Sequence, residues 1–275
     1  MNESSPAGRR ALADGREIPL LGFGTYQLRP GSATQRAVET ALEAGYRHID
    51  TATAYGNESD VGAAVRASGL GRDDVWITTK LWNSDHADPE AALRRSLDLL
   101  GFDQVDLWLM HWPTEVRLAT WQTMVNLQDE GLTRSIGVSN FLTHHLTELL
   151  AVTEVAPVID QIEMSPFLYR TRADTLATAE SAGVVIEAYS PLTKGARLDN
   201  AVVAAIAGRT AHTPAQVLLR WCVQHGFVTL PRSSNPQRIA ENARIFDFEL
   251  TEADLAELDG LDEGFTTGWD PATQA

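Results

Sequence analysis

Two spacings alternate along this chain. Short runs rich in β-branched and apolar residues give way to longer stretches where apolar side chains recur every three or four positions. The short runs are LLGFG at 20–24, RHID at 47–50, VWITTK at 75–80, VDLWLMH at 105–111, RSIGVS at 134–139, VIDQIE at 158–163, VVIEAYS at 184–190 and FVTLPRS at 227–233. Each reads as a strand, which makes eight.

The intervening stretches read as helices with marked ends. Residues 33–45 place Ala37, Val38, Ala41, Leu42 and Ala44 on one face and stop at Gly45. Residues 88–101 start with Asp88 and Pro89 and stop at Gly101, and 213–226 start with Thr213 and Pro214 and stop at Gly226. A rhythm of strands and helices implies a parallel sheet. Eight such units fit an α/β fold of the (β/α)₈ TIM-barrel type, as one domain over residues 1–275. An open doubly wound sheet would place G-x-G-x-x-G after the first strand. LGFGTYQL lacks the third glycine, and no helix follows at once. Residues 10–20 predict an N-terminal β-hairpin covering the bottom of the barrel, with Asp14-Gly15 as a type I′ turn. The tail EGFTTGWDPATQA has no helical pattern; it is expected either to cross the barrel mouth or to be disordered.

Composition narrows the function classes. The 275 residues carry a net charge of −15, which argues against nucleic acid or an anionic membrane as the main partner. No run is long and apolar enough for a membrane span. The polar N-terminus lacks a signal-peptide core, so a cytoplasmic location is expected. The single cysteine, Cys222, excludes a disulfide within the chain and reads as a small buried hydrophobe.

In such a barrel, chemistry gathers at the C-terminal ends of the strands. There the sequence places Asp50 with Tyr55 in the following loop, then Lys80 and His111, on consecutive strands. Taken singly, these residues could cap a loop, pack a ring or face solvent. Together they form a carbonyl-reducing set. The ammonium of Lys80 is expected to lower the Tyr55 phenol pKa, with Asp50 holding Lys80 in place. Tyr55 is then a general acid, and His111 orients a carbonyl oxygen. No nucleophile or hydride source is present, so a cofactor must bring the reducing equivalent. Ser139, Asn140 and Gln161 suit a carboxamide, and Tyr189 suits a flat ring. Arg232, Ser233, Ser234 and Arg238, ahead of a predicted short helix at 236–243, look like a phosphate site.

These blocks resemble the aldo-keto reductase family along nearly the whole chain: LGFGTYQL, GYRHIDTATAYGNE, ITTKLWNSDH, DLWLMHWP, SIGVSNF, QIEMSPF, EAYSPL and LPRSSNPQRIAEN. Within the family the chain is most similar to the prokaryotic branch that includes the diketo-gluconate reductases. The resemblance implies NAD(P)H-dependent reduction of aldehydes and ketones. It makes Asp50, Tyr55, Lys80 and His111 the catalytic tetrad, with Tyr55 as proton donor. It gives the nicotinamide to Ser139, Asn140, Gln161 and Tyr189, and the adenosine end to Arg232, Ser233, Ser234, Arg238, Glu241 and Asn242. Thr25, Ser190 and Leu192 are further expected cofactor contacts. Tyr26, Trp82, His111 and Trp112 are the expected substrate contacts.

Two positions depart from the family pattern. Arg232 stands where Lys is common; Arg can still grip a 2′-phosphate, so NADPH is expected ahead of NADH. Thr193 stands where Gly is common, so the loop over the pyrophosphate is expected to differ. The short tail implies an open, permissive pocket. The expected partner is a small-molecule carbonyl, with no nucleic acid, membrane or metal. A monomer is expected, with weak self-association left open. Two other readings remain: a cofactor-binding protein with little turnover, and a metal-dependent barrel hydrolase. His111 lacks the spaced histidine companions the second would need.

Overall fold

A computed structural model describes residues 8–272. Strands β1 (Arg9–Ala11) and β2 (Glu17–Pro19) form an antiparallel hairpin. Eight parallel strands follow: β3 (Phe23–Gly24), β4 (His48–Asp50), β5 (Trp76–Leu81), β6 (Val105–Met110), β7 (Thr133–Ser139), β8 (Ile159–Glu163), β9 (Val185–Tyr189) and β10 (Val228–Leu230), hydrogen-bonded in chain order. The ends of this sheet meet. Leu21 bridges Thr229, Gly22 N–H donates to the Thr229 carbonyl at 2.9 Å, and Gly24 N–H to the Pro231 carbonyl at 3.1 Å. The sheet is therefore a TIM barrel with helices around it.

The hairpin differs from a two-residue turn. Gly15 N–H bonds the Leu12 carbonyl and Leu12 N–H the Arg16 carbonyl, and Gly15 alone has positive φ, 82°. This is a three-residue loop whose glycine supplies the left-handed position; type I′ would also have required it of Asp14.

Side-chain alternation divides the barrel interior by height. At the bottom, Trp76, Leu107, Leu109, Ile159, Val185 and Val228 form one apolar cluster, closed by Leu12 and Ile18 of the hairpin. Two residues further along the same faces come Thr78, Gln161 and Glu187, and above them Lys80, His111, Glu163 and Tyr189. The larger apolar core lies between the strands and the helices. So each strand runs from a packed base to a polar rim, and the rim is where chemistry is possible.

The helix ends follow the predicted devices. Asp88 accepts from Ala91 N–H ahead of Pro89–Leu100, and Thr213 from Gln216 N–H ahead of Pro214–Gln224. The short helix is Pro236–Asn242, capped by Asn235. The tail lies across the barrel mouth as far as it is described. Thr267 N–H donates to Glu163 at 2.7 Å, and Arg172 donates to Asp270 at 2.6 Å.

Candidate active site

At the rim, Lys80 is fully buried and its ammonium is saturated. It lies 2.7 Å from each Asp50 oxygen, 3.0 Å from the Thr51 carbonyl and 3.2 Å from the Tyr55 hydroxyl. A short helical turn at Thr53–Tyr55, released by Gly56 at φ 66°, brings Tyr55 back over the strand end. Two ties fix that turn. Thr53 Oγ1 donates to the Lys80 carbonyl, and Asn57 Oδ1 accepts from Thr51 Oγ1 at 2.7 Å. Tyr55 and His111 then meet edge to face at 5.7 Å, and Trp82 flanks the imidazole at 5.0 Å.

The electrostatics differ from expectation at one point. Burial pushes the Tyr55 phenol well above its ordinary range, and the Asp50 charge adds to this. Lys80 does not bring it down at rest because the Asp50 carboxylate, nearer to the ammonium than the phenol is, cancels most of its field. His111 moves the other way. Burial first, then Lys80, holds its pKa well below the ordinary imidazole value, so the ring is neutral. Its Nδ1 is buried with no hydrogen-bond partner among the described residues.

A cleft of about 1100 Å³ opens above these groups. Asp50, Tyr55, His111, Tyr26, Trp82 and Trp112 line it. So do Arg232, Ser233, Ser234, Arg238, Glu241 and Asn242, together with Ser139, Asn140, Gln161, Tyr189, Ser190 and Leu192. Thr25 lies behind this wall, fully buried, with its hydroxyl donating to the Asp50 carbonyl.

The donor set suits a long dinucleotide. Gln161 Nε2 is taken by Asp50 at 2.9 Å and Glu187 at 2.6 Å, leaving its carbonyl oxygen for an amide donor. Tyr189 is pinned through its hydroxyl to Asn140 Oδ1 at 2.8 Å, so its ring is held flat-side available. Arg232 donates to the Tyr26 carbonyl and to Gln27, while the Arg238 guanidinium makes no bond among the described residues. Two arginines in one cleft wall suit a phosphate. In the loop beyond β9, Thr193 takes φ 50°, a strained conformation for a β-branched residue. Glycine would hold the same backbone without strain. Among the described residues, no group of three His, Cys, Asp or Glu side chains is placed to hold a metal. Nor is any helix long and apolar enough to cross a membrane.

Glu187, Trp269 and Lys194 are among the residues of the site that sequence reasoning misses. Glu187 lies fully buried beneath Asp50, and its only signal is an acid in mid-strand. Trp269 reaches over the cleft to within 6.1 Å of Trp112, and Lys194 lines the wall near it. Both belong to segments without periodic pattern.

The family model for the aldo/keto reductase family matches residues 20–263. The Bacillus subtilis oxidoreductase YtbE is 42% identical over 270 residues, 96% of each chain. The crystal structure of an aldo/keto reductase from Brucella melitensis superposes with a TM-score of 0.88 at 42% identity, covering 93% of this chain and 100% of that one. A silkworm (Bombyx mori) aldo-keto reductase, 36% identical, covers 96% of this chain and 90% of its own and was also solved complexed with NADPH, with a TM-score of 0.89. The chain belongs to the aldo-keto reductase family, and is an oxidoreductase of that family.

Proposed function

We propose that this cleft reduces aldehydes and ketones to alcohols, with NADPH as the cofactor and Tyr55 as the proton donor. One observation carries the reading: a buried Lys80–Asp50 pair pressed against a protonated phenol, with a neutral imidazole facing it, in a cleft whose wall also carries two arginines. NADPH, when bound, supplies the hydride.

Tyr55 keeps its proton through the neutral range because burial raises its pKa. The alkoxide developing on the substrate is far more basic than a phenolate, so the proton moves downhill when it moves. His111 orients the carbonyl oxygen towards Tyr55. Lys80 acts chiefly after the proton leaves, when its ammonium faces a phenolate 3.2 Å away. An interaction stronger in the transition state than in the ground state raises turnover and not merely binding.

NADPH is preferred here to NADH because the Arg238 guanidinium has no partner among the described residues and Arg232 lines the same cleft, in a chain of charge −15. The silkworm relative solved with NADPH supports the same reading. Aromatic walls at Tyr26, Trp82 and Trp112 favour apolar carbonyls. The test is Tyr55→Phe, assayed on a panel of carbonyls with NADPH and NADH. Turnover is expected to fall by about 10² to 10⁴, the usual worth of a positioned acid, while NADPH affinity is retained. Unchanged turnover would remove Tyr55 from the chemistry.

A further inference from the structure

Two aperiodic segments meet over the cleft. One is the loop after β9, residues 190–198, of which Ser190, Leu192, Lys194 and Leu198 line the wall. The other is the C-terminal segment from Asp262 to Asp270, which carries Trp269. Trp269 is 64% exposed and shares the cleft with Trp112.

The segment is fastened on two sides. On the β8 side, Asp262 accepts from Thr171 N–H and Oγ1 at 2.8 and 2.7 Å, and Glu163 and Arg172 hold Thr267 and Asp270. On the β9 side, Arg197 Nε donates to Glu263 at 2.6 Å, and its guanidinium covers the Phe265 ring at 4.0 Å. Lys194 Nζ donates to the Thr267 carbonyl at 2.8 Å. Arg197 itself does not line the cleft. The β9 loop is also the strained one: Ser190, Thr193 and Lys194 all have φ near 50°. Such a conformation persists only where the surroundings over-determine it, and the Arg197 and Lys194 contacts are part of what holds it.

We propose that Arg197 is a specificity-positioning residue. It couples the β9 loop, on the cofactor side of the cleft, to the segment bearing Trp269, so that cofactor binding sets the wall against which bulky carbonyl substrates pack. The inference rests on the reductase reading of the cleft. Coupling between two sites through a shared element typically changes affinity by about 5- to 150-fold. Arg197 supplies both an ion pair and a ring contact to it, whereas the Lys194 hydrogen bond goes to a backbone carbonyl.

The experiment has two readouts. The Trp269 fluorescence component, taken as the difference between the wild type and Trp269→Phe, is followed as NADP⁺ is added. It is expected to respond in the wild type, to be lost in Arg197→Ala and to be partly restored in Arg197→Lys. In turnover, Arg197→Ala is expected to raise KM for a bulky aromatic aldehyde about fivefold or more, with kcat and the KM of a small aliphatic aldehyde changed little. A Trp269 response equal in wild type and Arg197→Ala overturns the proposal. So does an equal KM rise for both aldehydes, or loss of NADP⁺ binding in Arg197→Ala. Absence of turnover in the wild type would instead sink the reductase reading, and the fluorescence comparison would still decide the coupling.

Discussion

Asp50 holds a position that two charges depend on. It neutralises the buried Lys80 ammonium at 2.7 Å and accepts from Gln161 at 2.9 Å. Asp50→Asn leaves that fully buried ammonium without its 2.7 Å counter-charge. Breaking one side of a buried pair costs about 3–5 kcal/mol, so urea denaturation should show a loss of roughly 3 kcal/mol. The double variant Asp50→Asn/Lys80→Met removes the orphaned charge; it should regain much of that stability without regaining turnover. A double variant as unstable as the single one would show that the pair is not the source of the loss. The four rim residues were readable in the sequence because each closes a strand or opens its loop, and alternation sends those positions to one place. The direction of the Tyr55 shift was not readable. It depends on the balance between burial, the Lys80 ammonium 3.2 Å from the hydroxyl and the Asp50 carboxylate 2.7 Å from that ammonium, and spacing reports neighbours without reporting burial.

At the scale of elements, the sequence signals worked where a side chain has one job. Capping residues, prolines and terminal glycines placed the helices at 89–100 and 214–224 to within a residue or two. The first strand was harder. Only Phe23–Gly24 pairs as a ladder with β4, while Leu21 closes the barrel on the other side. The tail and the β9 loop gave no periodic signal because long-range polar ties hold them, among them Arg197–Glu263 and Arg172–Asp270. Helix packing supplies a prediction at this scale. Gly62 lies in the helix Glu58–Ala67, and a Cβ there would overlap the Leu100 carbonyl at the end of the helix Pro89–Leu100. Helix propensity alone favours Gly→Ala by about 1 kcal/mol, while overpacking costs about 1–3 kcal/mol. The neighbour is backbone and cannot swing away, so the second effect wins. Gly62→Ala should lower the urea midpoint, and a raised midpoint would mean that the two helices can slide apart at little cost.

At the scale of the whole molecule, the interior is more polar than the apolar core suggests. Beneath the rim, His48 Nε2 lies 3.6 Å from Glu187 and 3.1 Å from Thr78 Oγ1, and both His48 and Glu187 are fully buried. Lys80 already has Asp50 as its counter-charge, so a second carboxylate nearby has none. Burial first, then the Asp50 charge, pushes Glu187 up to about 8, and burial lowers His48 to about 3. The folded state therefore keeps both neutral near pH 7. For Glu187, with a folded value above its unfolded one, the contribution to stability is complete below about pH 4.5 and is lost as pH rises through about 8. For His48, depressed from 6.5, the contribution is complete above pH 6.5 and lost as pH falls towards 3. Stability should therefore peak between these limits and decline on the alkaline side before any Lys or Tyr titrates. The many surface carboxylates are already ionised there and cannot produce that decline. Melting temperatures should thus fall between pH 6.5 and about 8 in the wild type, and that fall should flatten in Glu187→Gln. An alkaline slope of equal size in both proteins would assign the loss to another group and leave Glu187 ionised in the fold.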